Sequence, residues 1–276
     1  MNPPLNQRET GLAAALAALV LLALFAPALA QPAHYGEFAD TRTLAGIPFA
    51  MDTLTNLAFA AWGVVGLVML ARLAPGALPR VQGQAAVLFF WGLIATAFGS
   101  AWYHAQPADA GLVLDRLCMV PAFSGLLALA AAERVSERAG SVLAGLALLL
   151  GGAAVADWAL SGNVLPWALF QFGGMALLLA AAMLPASGPT VRWPAILLLY
   201  GLAKAFELTD AAVYEFTAHL ISGHSLKHLV GALAAWPVIH ALRARRALVP
   251  DPAASRSRPA ATSSSSNDND HACASR

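Results

Sequence analysis

Five residues in this chain have the types and spacings for metal-assisted hydrolysis. In Phe98-Gly99-Ser100-Ala101-Trp102-Tyr103-His104, the serine and the histidine are four apart and share one helix face. Asp115 follows a short loop, about one turn into the next apolar run. Near the last apolar run, Gly223-His224-Ser225-Leu226-Lys227-His228 sets two imidazoles at i and i+4. Three neutral imidazoles with an open fourth position form the usual layout of a catalytic zinc site. Zinc held in this way lowers the pKa of a bound water to about 7. An adjacent aspartate can take that water's proton and deliver it to a leaving amine. A serine hydroxyl one turn below His104 can donate to the developing oxyanion.

Each piece also has an ordinary explanation when taken alone. A single H-x-x-x-H is a short motif, a helical serine can bond its own backbone, and Asp115 beside Arg116 can be a buried ion pair. Lys204, Glu207 and Asp210, spaced by three, lie along one face of the sixth core helix, and Lys227 sits between the last two histidines. Their first expected role is to neutralise one another inside the bundle. Their second is to orient the site from behind, with Glu207 or Asp210 fixing a histidine tautomer. His34 and His271 sit in polar segments, His240 is near the opposite end and His219 falls in a loop. Cys118 and Cys273 have no cysteine or histidine at ligand spacing and make no disulfide framework.

The elements that must position these residues are membrane helices. Of 276 residues, 59% are hydrophobic and only 11% are charged, against about 25% charged in a soluble domain. A net charge of +1 gives no basic surface for nucleic acid. Apolar runs near 53–72, 83–104, 112–132, 141–160, 164–185, 192–213 and 222–242 each approach the roughly 20 residues that a bilayer core needs. Turn chemistry separates them at Ala74-Pro75-Gly76, Ser161-Gly162-Asn163 and Ser187-Gly188-Pro189. The expected fold is an all-α seven-helix bundle over 53–246, preceded by an external segment at 31–52. The run ahead of it, within 1–30, has two readings: a signal peptide ending at Ala28-Leu29-Ala30, or an extra helix. Residues 247–276 are Pro/Ser/Asn/Asp-rich and are expected to be a disordered cytoplasmic tail.

Arginine placement orients the bundle. Alternate connections hold Arg72, Arg80, Arg134, Arg138, Arg192, Arg243, Arg245 and Arg246, and the opposite ones hold only Arg42. The positive-inside bias then puts the C-terminus in the cytoplasm, which for a bacterial chain means a multi-pass protein of the inner membrane. It also puts Ser100, His104, Asp115, His224 and His228 at one level, just below the outer surface. The arginines say nothing about histidines, so this agreement is independent support for a shared site. Ionisable groups inside a membrane are costly and ask for such a reason.

Ser100-x-x-x-His104, Asp115 eleven residues on, and His224-x-x-x-His228 near the C-terminal end resemble the pattern of the alkaline ceramidases. That family belongs to a superfamily of seven-helix membrane hydrolases that also includes the adiponectin-type receptors and GPI-lipid remodelling proteins. The resemblance covers about 35–245 and includes the first core helix at Asp52-Thr53-Leu54-Thr55-Asn56. It implies Zn2+ held by His104, His224 and His228, with Asp115 and Ser100 around the metal-bound water. It also implies hydrolysis of ceramide, in the bilayer, to a sphingoid base and a fatty acid. Two departures limit it. Eukaryotic members bind calcium through an acidic cluster before the first core helix, whereas Glu37, Asp40 and Asp52 are scattered here and argue against calcium regulation. The superfamily also applies one metal pattern to different lipids. Rival expectations are therefore a hydrolase of phospholipid esters or other N-acyl lipids, and a receptor or structural protein whose metal staples helices. The sequence leaves the oligomeric state open.

Overall fold

A computed structural model describes residues 4–33, 35–186 and 190–248. The segment expected to be a disordered tail lies almost wholly outside them, as do His34, His271 and the Ser187-Gly188-Pro189 turn. The protein is an all-α membrane helical bundle. Among the described residues six helices are long and apolar enough to cross a bilayer: α1 (Gln7–Phe25), α2 (Ala50–Ala71), α3 (Arg80–Ala105), α4 (Asp109–Arg134), α5 (Glu137–Ser161) and α6 (Leu165–Ala182). The remaining two expected runs fold as interrupted helices: α7 (Trp193–Leu208) with α8 (Asp210–Phe216), and α9 (Gly223–Ala232) with α10 (Ala235–Leu248).

Both interruptions have local causes. At Thr209 the backbone leaves the helix at φ −110° and ψ 25°, and the threonine hydroxyl bonds back to the Ala205 carbonyl at 2.8 Å. Gly223 packs into this bend so closely that a Cβ there would overlap the Phe206 carbonyl. Between α9 and α10, Pro237 follows Trp236 and has no N–H to continue the ladder, so it is tolerated only in the first turn of α10.

Small residues set the closest helix contact. α3 and α4 meet at Gly92 against the backbone of Ala122, and at Gly125 against the backbone of Phe89. A Cβ at either glycine would overlap main chain, so the two helices touch as small-residue membrane helices do. Around them Phe89, Phe90, Leu126, Leu178, Trp193 and Ile239 form the buried core. Leu149, Leu198, Leu208 and Met183 are turned outward and exposed, giving the perimeter the apolar surface that hydrocarbon requires.

The ambiguous N-terminal run is helical over Gln7–Phe25. Asn6 and Glu9 form a capping box at its start, and Leu19 seats against Gly173 of α6. Beyond it the chain returns across the bundle end, where the Val164 N–H donates to the Leu29 carbonyl at 2.8 Å. Residues 31–33 and 35–49 then run irregularly over the end where α3 stops and α4 and α9 begin.

Candidate metal centre

His104 closes the last turn of α3, and His224 and His228 lie in the first two turns of α9, so all three reach one end of the bundle. All three side chains are buried, and a donor atom from each lies within 4.8 Å of the others. The Nε2 atoms of His104 and His224 are 3.2 Å apart. Tetrahedral ligands at about 2.0–2.1 Å from a zinc ion stand near 3.3 Å from one another, so small side-chain shifts suffice to close the set.

The hydrogen bonds define how each ring is presented. The Thr55 hydroxyl donates to the Met51 carbonyl at 2.8 Å, so toward His228 it can only accept, and it stands 3.0 Å from Nδ1. The proton of His228 is therefore on Nδ1, and its Nε2 lone pair faces inward. That Nε2 is buried without a hydrogen-bond partner, as is Nδ1 of His104. Lys227 Nζ approaches His224 Nε2 at 2.7 Å. An ammonium only donates, so this nitrogen presents a lone pair to a cation. Buried polar atoms are normally satisfied, so the partnerless Nε2 of His228, together with the Nε2 atoms of His104 and His224 3.2 Å apart, forms a donor set that a cation could complete, whereas Nδ1 of His104 lies on the other side of its ring. The three residues could thus hold a metal ion.

Ser100, Asp115 and His228 line one cavity of about 160 Å³. Ser100 is one turn below His104, and Asp115 is in the second turn of α4, across from it. Away from these groups the walls become apolar and aromatic, through Phe89, Leu126, Met175, Ile196 and Tyr200. A short π-helical stretch at Leu169–Gly173 turns Gln171 toward the same space. Such irregularities inside helices often accompany functional sites. On the other side, Phe38 packs edge-on against His104 at 4.6 Å and His224 at 4.7 Å, covering the cluster from the irregular segment.

The charged residues of the sixth core helix take different tasks from one another. Glu207 accepts from both Lys204 and Lys227, so mutual neutralisation is observed for these three. Neither carboxylate bonds a histidine ring. Asp210 instead accepts from the backbone N–H of His224 at 2.7 Å and from that of Ala39 at 3.0 Å, which ties the start of α9 to the segment carrying Phe38. Asp115 and Arg116 form no salt bridge; the guanidinium bonds Gln31 and lies 4.1 Å from the Trp158 ring centroid.

Several residues around the site were not anticipated. Asp52 is fully buried and accepts from Ser225 Oγ at 2.6 Å and Ser222 Oγ at 3.1 Å, while Ser222 also caps α9. With the Thr55 contact, this fastens the start of α2 to the two histidines of α9. A signal exists in retrospect: Asp52-x-x-Thr55 and Ser222-x-x-Ser225-x-x-His228 are polar stripes with helical spacing in apolar helices. Asp40 is also fully buried. Burial alone would raise its pKa, but the two-pronged contact from Arg42 prevails and holds the carboxyl below its ordinary range. Arg42 reaches on to the Leu220 carbonyl at 3.0 Å and so anchors the covering segment. No family model matches the chain, and no curated protein is significantly similar to it.

Proposed function

We propose that this protein is a zinc-dependent hydrolase of membrane lipid amides, similar to the alkaline ceramidases, with ceramide as the first substrate to test. One observation carries the reading: three buried imidazoles cluster together, one of them, His228, lines a cavity with Ser100 and Asp115, and that cavity continues into apolar walls suited to an acyl chain. Two soft-to-borderline nitrogen donors on one helix and a third on another match zinc better than calcium or magnesium, which prefer oxygen ligands. Zinc, when bound, supplies a Lewis acid that makes water nucleophilic near neutral pH and polarises an acyl oxygen.

The chain's own residues then divide the work. Asp115 accepts the proton of the attacking water and delivers it to the amide nitrogen, so the new C–O bond replaces C–N and the amine leaves neutral. Ser100 Oγ donates to the acyl oxygen as negative charge grows there. Phe38 and the aromatic walls restrict bulk water, which strengthens both interactions. A nucleophilic Ser100 is disfavoured because a serine needs a free base, and all three nearby imidazoles serve as ligands. The arginine distribution supports an orientation with this end of the bundle at the outer face and the C-terminus in the cytoplasm.

The test is hydrolysis of a lipid panel by purified protein, with and without a chelator. Ceramide and other N-acyl lipids should be cleaved, chelation should abolish cleavage, and added zinc should restore it. Faster cleavage of phospholipid esters would move the reading to an esterase. Metal-replete protein that cleaves nothing would leave a metal staple.

A further inference from the structure

The cavity holds more positive charge than catalysis of a neutral amide requires. Lys204, Lys227 and Arg116 line it, against Glu207 and Asp115. Glu207 is shared between the two lysines, so each ammonium keeps donors that Glu207 does not use. Arg116 is 2% exposed, yet among the described residues its Nε and Nη1 have no hydrogen-bond partner. Its Nη2 donates to Gln31, the Tyr35 hydroxyl also lies in hydrogen-bonding contact with the guanidinium, and its faces are covered by Trp158, Tyr35 and Trp167. A buried guanidinium with two idle donors, in a cavity with a surplus cation, is costly unless an anion completes it.

A metal increases this imbalance. Lys227 Nζ rests on the lone pair of His224 that a metal ion would use, so both cannot occupy it together. With that lone pair taken, the ammonium must turn into the cavity toward Glu207 and whatever lies beside the metal site. The apolar walls below accept a hydrocarbon chain, so the anion belongs to an amphiphile and sits close to its acyl bond.

Resting on the hydrolase reading above, we propose that the substrate is an anionic N-acyl lipid, whose carboxylate lies within a few bonds of the scissile amide and is bound by Lys204, Lys227 and Arg116. An N-acyl amino acid is the simplest such molecule.

The test pairs N-oleoylglycine with N-oleoylethanolamine, which share the chain and the amide and differ in the carboxylate. For zinc-loaded protein we expect kcat/KM at least about tenfold higher for the glycine conjugate, on the scale of one charge-assisted contact. Lys204→Met should bring the ratio toward one, and Glu207→Gln, which removes the competing carboxylate, should raise it. The opposite signs of the two variants keep the test decisive if one of them folds poorly. Equal or faster cleavage of the neutral amide by the wild type would overturn the anionic substrate and leave the hydrolase intact. If neither is cleaved the hydrolase reading fails, and the ligand-induced rise in thermal midpoint decides instead. A larger rise with N-oleoylglycine that Lys204→Met removes would retain the anion site, whereas equal rises would end it. Oleate serves as a third arm: stabilisation by oleate matching that by N-oleoylglycine would assign the cations to a fatty acid, against the proposal.

Discussion

Polar groups are buried at both ends of this bundle, but they are arranged differently. At the end where α1 begins, Glu9 is clasped by Arg138 and Ser136, and Glu133 takes the N–H of Val191 and the indole N–H of Trp193. Arg134 donates to the Leu184 carbonyl and to Thr190. Each of these charges ends on a partner that joins two segments of chain, although Arg134 Nε is buried without one. At the histidine end, His228 and Arg116 line one cavity and each has an idle atom, and His104 beside His228 has another. The first arrangement is a set of latches. The second keeps polar groups in reserve for something that is not protein, and bears the cost because the surrounding helices hold it in place.

Substitutions should separate the two ends by what they alter. His228→Ala has the largest expected effect. It removes one of three ligands, so turnover should fall to background and bound metal should be lost, a greater loss than the roughly 10–100-fold typical of an outer partner. Metal analysis beside a turnover assay checks both. Retained metal with full activity would mean that the cluster is only another latch.

Next come Asp115→Asn and Ser100→Ala, which should leave metal content intact. The first removes the proton acceptor and should cost about 10²–10⁴-fold in turnover. The second removes one donor to the oxyanion and should cost about 10²–10³-fold. Acyl-enzyme trapped at Ser100 by mass spectrometry would contradict this division of roles.

Thr55→Val tests the outer partner of His228. The isosteric side chain cannot accept the Nδ1 proton, so zinc affinity should fall by about 10–100-fold, with turnover recovering at high zinc. A chelator competition assay measures it.

Glu133→Ala, at the latch end, should act on stability alone. It strands the Val191 and Trp193 donors, at a cost of about 1–3 kcal/mol, and should lower the thermal midpoint while turnover per folded molecule is unchanged. A specific loss of activity without a shift in midpoint would blur the distinction between the two ends.

What could be read in the sequence divides along a similar line. The apolar runs and the i, i+4 pairs Ser100/His104 and His224/His228 are local patterns, and a short loop brings Asp115 back to the same level, so the site's outline was visible. The roles of Asp52 and Thr55 were not, because their partners Ser222, Ser225 and His228 lie about 170 residues away and no local rule pairs them. Asp52 instead passed as one of three scattered acids. Glu207 and Asp210 were expected to act on histidine rings. The bend at Thr209, set by packing of Gly223 against α7, turns Asp210 to the backbone of His224 and leaves Glu207 with the lysines. The ordinary alternative for Asp115, an ion pair with Arg116, does not form, because consecutive helical residues point about 100° apart and the guanidinium goes to Gln31 and Trp158 instead.

If one metal ion held by His104, His224 and His228 enables hydrolysis of a lipid amide, catalysis must follow metal occupancy. The most direct test is to strip the purified protein of metal and titrate zinc back while following fatty acid release from an N-acyl lipid. The stripped protein should release none, and activity should then rise linearly and level at one zinc per chain. Release from fully stripped protein, or zinc bound to saturation with no release from any N-acyl lipid in the panel, would contradict it.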